Sequence, residues 1–316
     1  MSNFEGGAAV FFCAQRERRN AKRPMIFLCF FAWIDVTLLG GPAYNSMLEY
    51  RAKVIGRNVS RMVIVQGNLS YSGAKQVALP NHLMKRLKRL VPGGVTLLNV
   101  PFPEKVESQW DRERIHRWYT VQWLLANEPD AVAFISDGDE IIDPKVGVDN
   151  LIGEHADCIR PMLRSSYYSP CCEMEPIWTK SVVIRTSSRT FRRWKTMSPE
   201  AVNKAIRDER SGSCIAEQGS FKNWLYYHFS GLRPRGYIQG WHMSYALNTK
   251  DVREKMSAFS HSQDKLIIAA MSMRNAEISE RIRNCQSIFD KNMGKKIEEG
   301  PFPPPGWPRH PDAPDC

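Results

Sequence analysis

Ala131-Val-Ala-Phe-Ile-Ser-Asp-Gly-Asp-Glu140 decides the fold. Ala131 to Ser136 is short and apolar on both faces, as a strand buried inside a parallel sheet must be. The chain then turns abruptly acidic. Asp137, Asp139 and Glu140 put three carboxylates within four positions, with Gly138 for tight turning. Such groups repel one another unless a cation or a network of donors offsets the charge. A divalent ion is the obvious partner, and hard oxygen ligands suit Mn2+ or Mg2+, whose shells are completed by water and phosphate. An exposed, inert acidic turn is the competing reading. A calcium-binding EF-hand is excluded, because Val148 stands where the twelfth-position glutamate would be.

Working outward, further buried strands are expected over Met25–Trp33, Met62–Gln66 and Val95–Val100. Helices fall between them. One opens on a capping box, Ser46-Met-Leu-Glu49; a second is capped by Asn81 with Leu83, Leu87 and Leu90 inward; a third spans Trp110 to Asn127 with a stripe of Trp110, Trp118, Val121 and Leu125. Strands alternating with helices argue an α/β fold, a mostly parallel sheet flanked by helices, with its ligand crevice at the carboxyl ends of the strands. Residues 158–193 read as irregular β structure, Ser198-Pro-Glu200 opens another helix, Tyr237–Ala246 is a strand, and 249–259 and 264–293 form a helical C-terminal region.

The 316 residues divide into an N-terminal arm (1–23), one domain (24–293) and a Pro-rich tail expected to be disordered (294–316). A net charge of +11 favours anionic partners. The basic face at residues 85–89 lacks a nucleic-acid reading module, so no nucleic-acid partner is expected. The longest apolar run, Met25 to Trp33, is nine residues, too short to span a bilayer, and no anchor or signal peptide is recognised. Eight cysteines without a C-x-x-C pair suggest reduced thiols in a chain large enough to fold without staples.

Other residues could carry chemistry only in company. Glu113 and Arg117 are four apart on one helix face and read by default as a surface ion pair. Glu49 has a capping role, Arg51 is a solvated charge and Lys75 sits in a polar loop. His242 and His261 are each packed or surface imidazoles unless an acidic strand end draws one of them in as a third metal ligand.

Several of these pieces recur in a set order. Leu48-Glu-Tyr-Arg51 is followed by Met62-Val-Ile-Val65 and Tyr71-Ser-Gly-Ala-Lys75. Trp110, Glu113 and Arg117 come next, then Ser136-Asp-Gly-Asp-Glu-Ile141 and Gly240-Trp-His-Met-Ser-Tyr245, and last Lys255 and Phe259-Ser-His261. This ordered set resembles glycosyltransferase family 17, the group related to the β-1,4-mannosyl-glycoprotein 4-β-N-acetylglucosaminyltransferases, over roughly residues 24–261. The chain departs from the family pattern at Tyr44-Asn-Ser46, at Gln66 and at Pro144.

The resemblance implies a GT-A-like fold and a UDP-sugar donor, UDP-N-acetylglucosamine foremost. It also implies a glycan or glycoprotein acceptor, Mn2+ (or Mg2+) and inversion at the anomeric carbon. A Golgi location is implied by the resemblance alone. By residue, Asp137, Asp139 and Glu140 become catalytic, with Asp137, Asp139 and His242 on the metal. Glu49, Arg51, Lys75, Glu113 and Arg117 face the donor, and Trp241, His242, Ser244, Lys255 and His261 form a C-terminal motif. The base that deprotonates the acceptor is open among Glu140, Glu217 and Asp264. A second reading of the same residues is a non-catalytic nucleotide- or glycan-binding protein on a degenerate fold.

Overall fold

The computed structural model describes residues 32–41, 44–146, 157–174, 177–207, 214–216, 238–247, 249–289, 295–297 and 302–315. Its first half alternates β1 (Ala32–Leu39), α1 (Asn45–Ile55), β2 (Arg61–Gly67), α2 (Asn81–Leu90), β3 (Val95–Val100), α3 (Gln109–Asn127) and β4 (Ala131–Asp137). Short strands follow: β5 (Glu140–Ile142), β6 (Cys158–Arg160), β7 (Leu163–Tyr167), β8 (Cys172–Glu173) and β9 (Val182–Arg185). The remainder holds α4 (Arg189–Trp194), α5 (Pro199–Arg207), β10 (Ile215–Ala216), β11 (Gly240–Ser244), α6 (Thr249–Ala258), α7 (Lys265–Ser272), α8 (Asn275–Arg283) and β12 (Lys295–Lys296).

The main sheet has seven strands in the order β10-β6-β9-β4-β1-β2-β3. Neighbours pair in parallel except β9, which is antiparallel to both β4 and β6. The expected α/β fold, a mostly parallel sheet flanked by helices, is therefore present. A second sheet runs β12-β8-β7-β11-β5. One core lies between the main sheet and α1 and α2, the other between the sheet and α3 and α5. A third joins the second sheet to α6, α7 and α8.

The structure redraws several expectations. The strand at Met25–Trp33 lies outside the described residues apart from Ala32 and Trp33, which open β1; β1 continues to Leu39 and stands at the centre of the sheet. Helix α1 has no capping box: Tyr44 is its N-cap without a side-chain bond, and Glu49 pairs instead with Lys53 and Arg86. Pro80, not Asn81, precedes α2 as its cap. The capping box belongs to α3, where Ser108 and Asp111 satisfy each other's backbone amides. That helix buries Arg112, Glu113, His116, Arg117 and Thr120 along with Val121 and Leu124, so its inward face is polar rather than a tryptophan stripe.

The expected C-terminal helical run breaks at Met273 into α7 and α8. Residues 302–315, expected to be loose, pack back on the protein: Tyr50 donates to the Pro304 carbonyl at 2.6 Å, Trp307 meets Tyr50 edge-on and His310 is buried. Reduced thiols are not what is found. Cys158 bonds Cys214, Cys172 bonds Cys285, and Cys171 is also disulfide-bonded. Chain length argued against a need for staples; it says nothing about which cysteines the fold brings together, and here their Cα atoms lie 4.8 and 4.9 Å apart.

Candidate active site

The acidic turn is the hand-over between the two sheets. Asp137 ends β4 beside Leu38 of the parallel β1, while Glu140 begins β5 opposite His242 of β11. Asp139 lies between them, and its carbonyl accepts from the Met243 amide at 2.7 Å. Gly138 is required for close packing, since a Cβ there would fall 2.7 Å from the Tyr44 ring.

Beneath the turn lies a fully buried pair. Arg51 donates through Nε to Asp35 at 2.8 Å, through Nη2 to Ser136 Oγ at 2.7 Å, and through Nη1 to the carbonyls of Asp137 and Glu140. Arg51 is thus a brace for the backbone of the turn, not a solvated charge. The aspartate it needs stands in the central strand, where a charge amid Trp33-Ile-Asp-Val36 was the signal available in the sequence.

Above the turn opens a cavity of about 320 Å3 lined by Glu113, Asp137, Asp139, Trp178, Arg207 and His242, with Tyr44, Tyr167, Tyr245, Phe259, Ile267 and Phe289 forming its apolar walls. Asp137 holds Arg117 at 2.8 Å with one oxygen and Arg207 at 2.9 Å with the other. Burial pushes its pKa up, but the two guanidiniums more than offset this and keep the carboxyl ionised well below the ordinary range. Arg117 also reaches Glu113 at 3.3 Å, inside the protein rather than on the surface, and Ser260 donates to that glutamate at 2.7 Å. Asp139 meets the Lys255 ammonium at 2.5 Å and accepts from Ser244 at 3.3 Å.

Glu140 turns away from the cavity, accepting from the Asp137 amide at 2.9 Å and from the Trp178 indole. Burial, and then the charge of Asp137, pushes its pKa up from the ordinary carboxylate range. His242 stacks on Trp178, with ring centroids 4.0 Å apart, and the Arg207 guanidinium lies 5.7 Å from the Trp178 ring centroid. Burial lowers the His242 pKa to about 4, leaving a neutral imidazole whose Nε2 is 3.9 Å from Asp139 Oδ2.

The sequence-expected residues thus divide. Glu113, Asp137, Asp139, His242, Ser244 and His261 line the cavity. Arg117 and Lys255 hold its carboxylates, and Trp241 is core. Glu49 is bound up with Lys53 of its own helix α1 and with Arg86 of α2, and Lys75 is exposed; neither lines the cavity. Among the base candidates, Asp264 lines the cavity and bonds His261 at 2.8 Å, while Glu217 lies outside the described residues. Arg207 and Trp178 carry no motif and were not singled out by their sequence context.

For a divalent ion the donor set fits in part. Among the described residues no three His, Cys, Asp or Glu side chains converge as a metal cluster. Asp137 is committed to two arginines, so it is not one of the ligands. Asp139 and His242 supply a carboxylate and a neutral imidazole with donor atoms 3.9 Å apart, a separation two ligands of one ion can span at ordinary bond lengths of about 2.1 Å. These two fit; the rest of the shell would fall to water and phosphate.

No protein-family model matches this sequence, and no curated protein matches it either. Solved structures give distant similarities. One is a putative glucose-1-phosphate thymidylyltransferase from Bacillus anthracis, at 12% identity over 68% of this chain and 86% of that one, with a TM-score of 0.33. Another is M. tuberculosis glucosyl-3-phosphoglycerate synthase, at 11% identity over 76% and 80%, with a TM-score of 0.34. A third is a glycosyltransferase involved in glycosylation of the major capsid of PBCV-1, at 12% identity over 69% and 84%, with a TM-score of 0.28. Similarities this remote add nothing to the argument from the site.

Proposed function

We propose that the protein is an inverting glycosyltransferase that moves a sugar, N-acetylglucosamine foremost, from a UDP-sugar to a hydroxyl of a glycan or glycoprotein. The observation that carries this reading is the Asp137–Asp139 turn at the carboxyl end of a parallel strand, opening into a cavity that also holds Arg207 and His242. The motif order shared with glycosyltransferase family 17 supports the choice of donor.

The chain's own groups divide the work. Arg207, held by Asp137 with its side chain 22% exposed, offers guanidinium donors to the diphosphate oxygens. Asp139 and His242 are the residues that would hold Mn2+ or Mg2+, and such an ion supplies positive charge against the leaving diphosphate. Asp264, 59% exposed and paired with His261, is the base that takes the proton of the acceptor hydroxyl. The aromatic walls keep bulk water from competing as acceptor. The disulfides suit an oxidising compartment, where glycoprotein acceptors are also found.

Incubation with Mn2+ and a panel of UDP-sugars tests the reading. Release of UDP, fastest from UDP-N-acetylglucosamine and dependent on a glycan acceptor, is expected. Saturable UDP binding without release would instead favour the non-catalytic binder, a reading that Gln66 and Tyr44-Asn-Ser46 motivate.

A further inference from the structure

The cation beside Asp139 belongs to the protein itself. Lys255 rises from α6, buried, to within 2.5 Å of Asp139 Oδ2, and donates to Ser244 Oγ at 3.0 Å. Three rings surround its ammonium, with centroids at 5.2 Å for Tyr44, 4.6 Å for Tyr245 and 5.2 Å for Phe259. Such a cage holds a cation through the negative faces of the rings. A divalent ion held between the same carboxylate oxygen and His242 Nε2 would sit about 2.1 Å from that oxygen, and so no more than about 4.6 Å from the ammonium. Two cations so close in a dry site repel strongly. Lys255 and the ion therefore compete for one oxygen.

The charge balance sharpens this. Glu113, Asp137 and Asp139 face Arg117, Arg207 and Lys255, three negative groups against three positive. A bare divalent ion entering this set would add uncompensated positive charge where water is scarce. The diphosphate of a UDP-sugar brings two negative charges that match the ion, and UDP, with its terminal phosphate ionised, brings up to about one more, so with either the added positive charge is fully compensated.

Resting on the transferase reading, we propose that Lys255 is a resident counter-ion of Asp139 that denies the site to a free divalent ion, so that the ion is taken up only together with a nucleoside diphosphate. Lys255 acts here through Asp139 and sets the order of binding.

Mn2+ binding followed by electron paramagnetic resonance tests it on the full chain, without and with UDP. The wild-type protein should take up no Mn2+ alone and bind it once UDP is added. Lys255→Met should bind Mn2+ without UDP, with affinity raised on the order of tenfold or more, and its melting temperature should rise with Mn2+ alone. Lys255→Arg, which keeps the positive charge, should exclude the free ion as the wild type does. Saturable Mn2+ binding at one site of the wild-type protein without UDP would overturn the proposal, whatever the variants do. So would a Lys255→Met protein that, with or without UDP, binds Mn2+ no better than wild type. Failure of UDP to bind under any condition would instead count against the transferase reading, because the comparison of Mn2+ alone on the wild type and Lys255→Met needs no nucleotide.

Discussion

Arg51 and Asp35 form an ion pair with both side chains 0% exposed, joined by the arginine's Nε at 2.8 Å and by its Nη2. The pair fastens α1 to the central strand, and its remaining donors hold the turn that carries Asp137 and Asp139. Removing one partner strands the other charge in the core. Asp35→Ala and Arg51→Ala are each expected to lose about 3–5 kcal/mol of stability, read from urea unfolding midpoints. Arg51→Lys should recover little, since a single ammonium cannot reach a carboxylate, a hydroxyl and two carbonyls at once.

Arg207 spans Asp137 and the cavity. Arg207→Met should leave the circular dichroism spectrum intact and lower kcat/KM for the UDP-sugar by about 10²-fold, the usual cost of losing one donor to a developing negative charge. Unchanged kcat/KM would remove Arg207 from the mechanism.

His116 gives a pH signature away from the chemistry. Its Nε2–H donates to the Val65 carbonyl at 3.0 Å, so Nδ1 accepts from the Tyr71 hydroxyl at 2.8 Å. Burial, reinforced by Arg117, lowers its pKa to about 3 against the ordinary 6.5. The unfolded chain therefore binds a proton that the folded one refuses. Stability from this group is complete above pH 6.5 and falls as pH drops toward 3, by up to about 1.4 kcal/mol per pH unit. His116→Gln, which can keep both hydrogen bonds but cannot titrate, should flatten the slope of unfolding midpoint against pH between 6 and about 4. An identical slope in the variant would contradict the assignment.

The Cys172–Cys285 bond closes a separation of 113 residues and ties the second sheet to the end of α8, beneath the apolar cavity wall. Replacing both cysteines by serine should cost about 2–5 kcal/mol, measured as a lowered melting temperature. A reductant should lower the wild-type value by a similar amount or more, since it also opens Cys158–Cys214.

Much of this was legible in the sequence, and the limits have physical causes. Ala131–Asp137 and Met62–Gln66 are strands because continuous apolar runs have nowhere to go but a sheet buried on both faces; Val95–Val100 is a strand too, but at the sheet's edge and largely half-buried, as Thr96 and Asn99 within its run allow. The central strand was hidden because Asp35 interrupts its apolar run, and only the fold supplies Arg51 to neutralise it. The inward face of α3 was misjudged for the same reason: Glu113, Arg117 and His116 look like a solvated face until Asp137, Arg207 and Tyr71 are brought against them. Asp137 and Asp139 were recognised as carboxylates in need of positive charge. That this charge comes from Arg117, Arg207 and Lys255 is a matter of distances across 20, 70 and 116 residues, beyond any local pattern.

The most direct measurement is UDP release from UDP-N-acetylglucosamine, with Mn2+ and a glycan acceptor, by the wild type and by Asp139→Asn, with folding of both verified by near-ultraviolet circular dichroism. The account requires turnover by the wild type and a fall of at least about 10³-fold in the variant. Equal turnover by the two folded proteins would contradict it.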